Sequence, residues 1–110
     1  MKVAVFHPSA RATIRLFPEG VRRELGKAIY DLQKGERLGM PLSRPMGSIA
    51  AGVEELRLRD RAGIYRVLYY ARSSRGVFVF HAFVKKTESM PRHDLELGRK
   101  RLRELLHEKI

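Results

Sequence analysis

The stretch VEELRLRDRAGIYRVLYYARSSRGVFVFHAFV, residues 53–84, decides the fold. It divides into three strand-like runs, VEELRLR over 53–59, GIYRVLYYA over 63–71 and GVFVFHAFV over 76–84. The connections DRA and RSSR are short enough for hairpins, so the runs predict an antiparallel meander. Side chains alternate between the two faces of a strand, with same-face neighbours roughly 6.6 Å apart. Leu56 and Leu58 therefore oppose Arg57 and Arg59, and Tyr65, Val67 and Tyr69 oppose Ile64, Arg66, Leu68 and Tyr70. In the third run the alternation sets Val77, Val79, His81, Phe83 and Lys85 against Phe78, Phe80, Ala82, Val84 and Lys86. Both sets are largely apolar, which predicts a central strand covered on both sides. The expectation is one sheet face packed on helices and the other left as a partly open, arginine-lined concavity.

Upstream, KVAVF at 2–6 predicts a first strand and His7–Pro8 a turn. A short helix is expected over 9–17 with Ser9 as its N-cap. Pro18 suits the first position of a second helix, along which Val21, Leu25, Ala28, Ile29 and Leu32 form one apolar stripe. Gly35 marks its end. Residues 36–52, ERLGMPLSRPMGSIAAG, hold two prolines and three glycines without a period and read as a long irregular loop, of a length that tends to be functional or mobile. Downstream, a last helix starting near Pro91 would bring Leu95, Leu102, Leu105 and Leu106 to one side. The pattern is α+β: an N-terminal strand and two helices on a twisted, mainly antiparallel sheet, with a C-terminal helix. At 110 residues, one domain over 1–110 is expected.

Composition narrows the chemistry. The 23 Lys and Arg outnumber 12 Asp and Glu, a net charge of +11 at pH 7, and such an excess on a small domain attracts polyanions. Nucleic acid or a nucleic-acid machine leads the partners, ahead of an acidic protein. Cysteine is absent, and His7, His81, His93 and His107 show no metal-ligand spacing, so neither a metal nor another cofactor is expected. Residues 1–6 are too short an apolar run for a signal peptide, and no run approaches the ~20 apolar residues of a membrane span. A soluble cytoplasmic protein, without a membrane partner, is the expectation.

Several residues stand out. Arg66 interrupts an apolar strand; it must snorkel, pair with an acid such as Glu54 or Glu55, or await an anion. His81 is either a satisfied core residue or a functional one, according to its strand face. Lys85 and Lys86 end the third run, and with Arg57, Arg59 and Arg66 they would form a phosphate-sized cationic cluster if the strands are adjacent. Arg61 in the first turn, Arg22, Arg23 and Lys27 on the second helix, and Arg92, Arg99, Arg101 and Arg103 on the last are candidate nucleic-acid contacts, or solvated helix faces.

ELRLRDRAGIYRVLYY, followed by VFVFHAFVKKTE, ELGRKRLREL and the loop segment RLGMPLSRPM, resembles the phage-derived branch of the RelE/HigB toxin family of toxin–antitoxin modules. The resemblance spans almost the whole chain. It implies the RelE-like fold and a ribosome-associated mRNA endonuclease held inactive by an antitoxin encoded beside it, of helix–turn–helix, HigA-like type. By position it implies that Arg57 or Arg59, Arg66, and Lys85 or Lys86 act on the scissile phosphate. The tyrosine that RelE carries near its C-terminus has no counterpart; Arg92, His93 and Asp94 stand near that place, making His93 and His81 the candidates for proton transfer. The related ParE toxins share the fold and inhibit DNA gyrase, so a gyrase inhibitor and a non-catalytic nucleic-acid-binding prophage protein remain the alternatives.

Cleavage of RNA without metal needs a base for the 2′-OH, an acid for the leaving 5′-oxygen, and cations on the developing charge. Arginines suit the last task because they stay protonated. A lysine crowded by arginines or an ordinary histidine suits the first two, so Lys85, Lys86, His81 and His93 all qualify on type.

Overall fold

The computed structural model describes residues 1–86 and 89–107; Thr87 and Glu88, which end the HAFVKKTE motif, lie outside them. The elements follow as β1 (Ala4–Phe6), α1 (Pro8–Arg15), α2 (Glu19–Gln33), β2 (Ser43–Pro45), β3 (Val53–Arg59), β4 (Ile64–Ser73), β5 (Gly76–Lys85) and α3 (Arg92–His107). The five strands form one sheet in the order β1-β5-β4-β3-β2. β1 runs parallel to β5, and every other pairing is antiparallel. This is the α+β, RelE-like arrangement expected from the sequence.

The sheet has a helix layer on each face. On one side Ile14 of α1, Phe17, and Val21, Leu25, Ala28, Ile29 and Leu32 of α2 pack against Leu56, Leu58, Tyr65, Val67, Tyr69, Val77 and Val79. Burying each such aliphatic or aromatic side chain contributes about 1.5–3 kcal/mol, so the α2 stripe alone fixes which face of the meander is covered. On the other side Leu102 and Leu105 of α3 pack with Ile49 on Val53, Leu68, Phe78 and Phe80. Gly98 lets α3 approach closely: a Cβ there would lie 3.1 Å from the Ile49 and Leu68 Cδ1 atoms. Among the described residues no helix is long and apolar enough to cross a membrane.

The structure departs from the expected pattern at five places. Pro18 is the N-cap of α2, in extended backbone, and not its first helical residue. α1 is capped by His7, whose Nδ1 accepts from the Ser9 amide at 3.1 Å, and not by Ser9; the turn brings the ring, rather than the hydroxyl, to the open amides. The 36–52 loop contains β2, which pairs Ser43 with Leu56 and Pro45 with Glu54. A proline on an outermost strand removes no ladder bond, so its presence did not preclude one. Leu106 is 38% exposed and off the α3 stripe.

The largest departure is in β5. Leu68 pairs with His81 and Tyr69 with Val79, leaving Phe80 as an extra residue, a β-bulge. Strict alternation would part Phe80 from His81. Instead Phe78, Phe80, His81, Phe83 and Lys85 all belong to the α3 side, while Val77, Val79, Ala82 and Val84 belong to the α1/α2 side. The expected division of this strand into two faces therefore holds only within each half.

Candidate functional site

Cross-strand register builds the site on the α3 side of the sheet in three rows. Arg44, Glu55, Leu68 and His81 are successive partners in the first, and Arg57, Arg66 and Phe83 in the second. Arg59, Ile64 and Lys85 make the third. α3 covers the first row at His81 and Leu68. Beyond it, a depression of about 360 Å³ opens, lined by Pro41, Leu42, Arg57, Arg59 and Arg66. The backbone holds this edge in place, since the Arg57 amide donates to the Leu42 carbonyl at 2.8 Å.

Arg66 is 4% exposed. Its Nη1 donates to the Tyr65 carbonyl at 3.3 Å, and its Nε lies 3.5 Å from Glu55 Oε1. Among the described residues, the buried Nε atoms of Arg66 and Arg57 have no hydrogen-bond acceptor. Burial is the largest influence on the Arg66 guanidinium and pushes its pKa down; Glu55 opposes this, and the charges of Arg57, Arg59 and Arg44 add to it. Arginine still stays protonated, so the effect is felt as an under-compensated cation. Four arginines face one carboxylate. Of the two acids weighed from the sequence, Glu55 is Arg66's partner, while Glu54 accepts from the Ser43 hydroxyl.

His81 occupies a different niche. It is 2% exposed; its Nε2 meets Asp94 Oδ1 at 2.8 Å and its Nδ1 meets Arg101 Nη1 at 2.7 Å. Arginine only donates, so Nδ1 accepts and Nε2–H donates to Asp94. This is the neutral ring. Burial, the largest cause, holds the imidazole below its ordinary range; the Asp94 bond opposes that, and Arg101 and His93 reinforce it.

The other expected residues are spread more widely. Lys85 ends the third row, half-buried, and Lys86 follows it exposed. Arg61 sits exposed in the β3–β4 turn, where Asp60 Oδ1 accepts from the Ala62 and Gly63 amides. His93 and Arg92 are exposed in the first turn of α3, Arg92 on Glu96 at 2.9 Å. Arg99 reaches the Ser48 carbonyl, Arg101 is engaged with His81, and Arg103 is exposed. Arg22, Arg23 and Lys27 lie on α2, across the sheet from the depression; Arg22 bonds the Phe17 carbonyl, Arg23 Glu19 and Lys27 Asp31. Tyr65, Tyr69 and Phe83 are buried, and burial pushes the Tyr69 phenol up to about 12. Tyr70, the fourth aromatic that could stack a base if exposed, is half-buried against the Leu68 and Phe78 cluster.

Sequence reasoning missed Arg44 and Asp94. Arg44 sat in an apparent loop, and only its pairing with Glu55 adds it to the arginine cluster. Asp94 became visible once the bulge and α3 brought it to His81.

The site is thus one arginine-lined, half-covered face of an α+β sheet. The chain belongs to the family of phage-derived Gp49-like proteins (DUF891), whose model matches residues 12–103. That family is a RelE-like toxin family of toxin–antitoxin modules. No curated protein matches the chain.

Proposed function

We propose that the chain is the toxin of a type II toxin–antitoxin module and acts as a ribosome-dependent mRNA endonuclease of the RelE/HigB type, blocking translation by metal-independent cleavage. The observation that carries this reading is the pair of buried guanidinium nitrogens, Arg57 Nε and Arg66 Nε, which have no acceptor among the described residues and belong to arginines lining an open depression. Unsatisfied buried donors are costly, and a phosphate oxygen is the acceptor their fork geometry fits. Arg66 and Arg57 would hold the scissile phosphate and stabilise the charge that develops when the 2′-oxygen attacks phosphorus and the P–O5′ bond breaks. Arg59 and Lys85, flanking Ile64 one row along, would hold the adjoining phosphate.

The proton steps fall to groups that solvent and substrate reach: His93, Lys85 and Lys86. His81 already has both ring nitrogens committed, so its role is to fix α3 against β5 through Asp94 and Arg101. Among the described residues the depression is lined by Pro41, Leu42 and three arginines and no aromatic ring, so the mRNA has to arrive already positioned, which is what a ribosome supplies. The exposed basic residues of α2 and α3 suit sequence-independent contacts with rRNA phosphates. A helix–turn–helix antitoxin with an acidic segment matches the positive surface.

The test is primer extension on an mRNA in reconstituted translation, with and without ribosomes, for wild type and Arg66→Ala. New 5′ ends that need both ribosomes and Arg66 support the proposal. Intact mRNA together with inhibited gyrase supercoiling would replace it by the ParE-like reading.

A further inference from the structure

A phosphate clamp does not by itself account for an acid in its midst. Glu55 is 5% exposed, lies between Arg44 and Leu68 on the clamp's own sheet face, and sits 3.5 Å from Arg66 Nε. It does not line the depression, so it meets the arginine and not the space where a phosphate would rest. Its carboxylate is close enough to offset charge, yet among the described residues Arg66 Nε makes no hydrogen bond. A carboxylate seated squarely on the guanidinium fork would take up the donors a phosphate needs. Glu55 instead compensates Arg66 electrostatically and leaves Nε uncommitted.

We infer that Glu55 is a positioning residue that sets how tightly the Arg57–Arg66 depression holds a phosphate. In the empty site it keeps the buried Arg66 charge tolerable and the guanidinium in place. In the filled site its negative charge opposes the phosphate, which lets the cleaved strand leave. Four arginines without this acid would retain product. The inference rests on the phosphate reading above and deepens it.

The test compares wild type, Glu55→Gln and Arg66→Ala in calorimetric binding of a 2′-deoxy dinucleotide bearing a 3′-phosphate, which cannot be cleaved by 2′-oxygen attack. Glu55→Gln keeps the shape and removes the charge; with a unit charge at a few ångströms from the phosphate in a partly buried site, binding is expected to tighten about tenfold or more. In ribosome-programmed cleavage the same variant should show lower KM and lower kcat, with a burst of product before a slowed steady state. A merely structural Glu55 would lower the melting temperature and leave phosphate affinity unchanged, and unchanged or weaker binding by folded Glu55→Gln overturns the inference. If Glu55→Gln does not fold, Glu55→Asp, with its charge drawn back by one methylene, should bind the probe more tightly than wild type, and equal or weaker binding again overturns it. Arg66→Ala separates the two levels: if it binds the probe as wild type does, the phosphate reading itself fails; if it weakens binding while Glu55→Gln does not tighten it, only the role of Glu55 fails.

Discussion

Arg66 stands directly across from Arg57 in the β3–β4 pair, like charge against like charge, and neither Nε has an acceptor among the described residues. Like charges at facing positions of a sheet destabilise it, and an unsatisfied buried donor costs about 1–3 kcal/mol. A sequence selected for stability alone would not keep this arrangement, which is the physical reason to assign it a ligand.

The first prediction follows from that cost. Arg57→Leu should raise stability in urea unfolding by about 1 kcal/mol while lowering mRNA cleavage by about 10²-fold. A variant both less stable and fully active would show that Arg57 is a structural residue.

A second concerns pH. His81 is neutral in the fold and its pKa is held below the ordinary 6.5, by burial first. Below about pH 6.5 the unfolded chain takes up a proton that the folded ring refuses, so this contribution is complete above that value and declines as pH falls toward the folded pKa. Urea midpoints should therefore drop between pH 7.5 and 5.5. In His81→Gln, whose amide can donate to Asp94 and accept from Arg101, the drop should be smaller.

The row arrangement yields a third. Each phosphate neutralised on a single strand contributes about 0.7 to the slope of log K against log salt. For a short oligonucleotide, Arg59→Ala and Lys85→Ala should each lower that slope by up to this amount. Arg22→Ala and Lys27→Ala, across the sheet, should leave it unchanged and act only on ribosome association. Anisotropy titrations at several salt concentrations measure both.

A fourth is a stability prediction. Gly76 has φ +147°, and a Cβ there would lie 2.5 Å from the Val3 carbonyl oxygen. The obstacle is backbone, and the Val77 amide donates to that same carbonyl at 2.8 Å. Gly76→Ala should destabilise by about 2 kcal/mol or more through loss of the β1–β5 pairing, read as a lowered urea midpoint.

Much of the architecture was legible because it rests on periodicity. The α2 stripe, the two hairpins and the start of α3 near Pro91 all lie where apolar spacing and turn residues put them. What escaped depends on residues far apart in the chain. His7 caps α1 by a ring that no propensity favours, and it also meets Glu104 of α3 at 2.9 Å. β2 is three residues long, and its strand character comes from β3 alone. In the site, arginines of β3 and β4 were expected together because alternation fixes their face. The choice of Glu55 over Glu54, the inclusion of Arg44 and the enclosure of His81 required the register and the third helix.

The extra residue at Phe80 gives the sheet a parity. The bulge absorbs Phe80, so Val79 and His81 still face the neighbouring residues Tyr69 and Leu68 of β4. Removing Phe80 would therefore close the bulge and keep His81, Phe83 and Lys85 beside the arginines. Removing Ala82 instead, with the pairing kept up to His81, would turn Phe83 and Lys85 toward the α1/α2 layer and bring Val84 to the arginines, and the third cationic row would lose its lysine. In such a strand the count of residues matters as much as their identity, so among Gp49-like chains a gap at the bulge would conserve the chemistry, where an equal gap between His81 and Lys85 would mark a change of it.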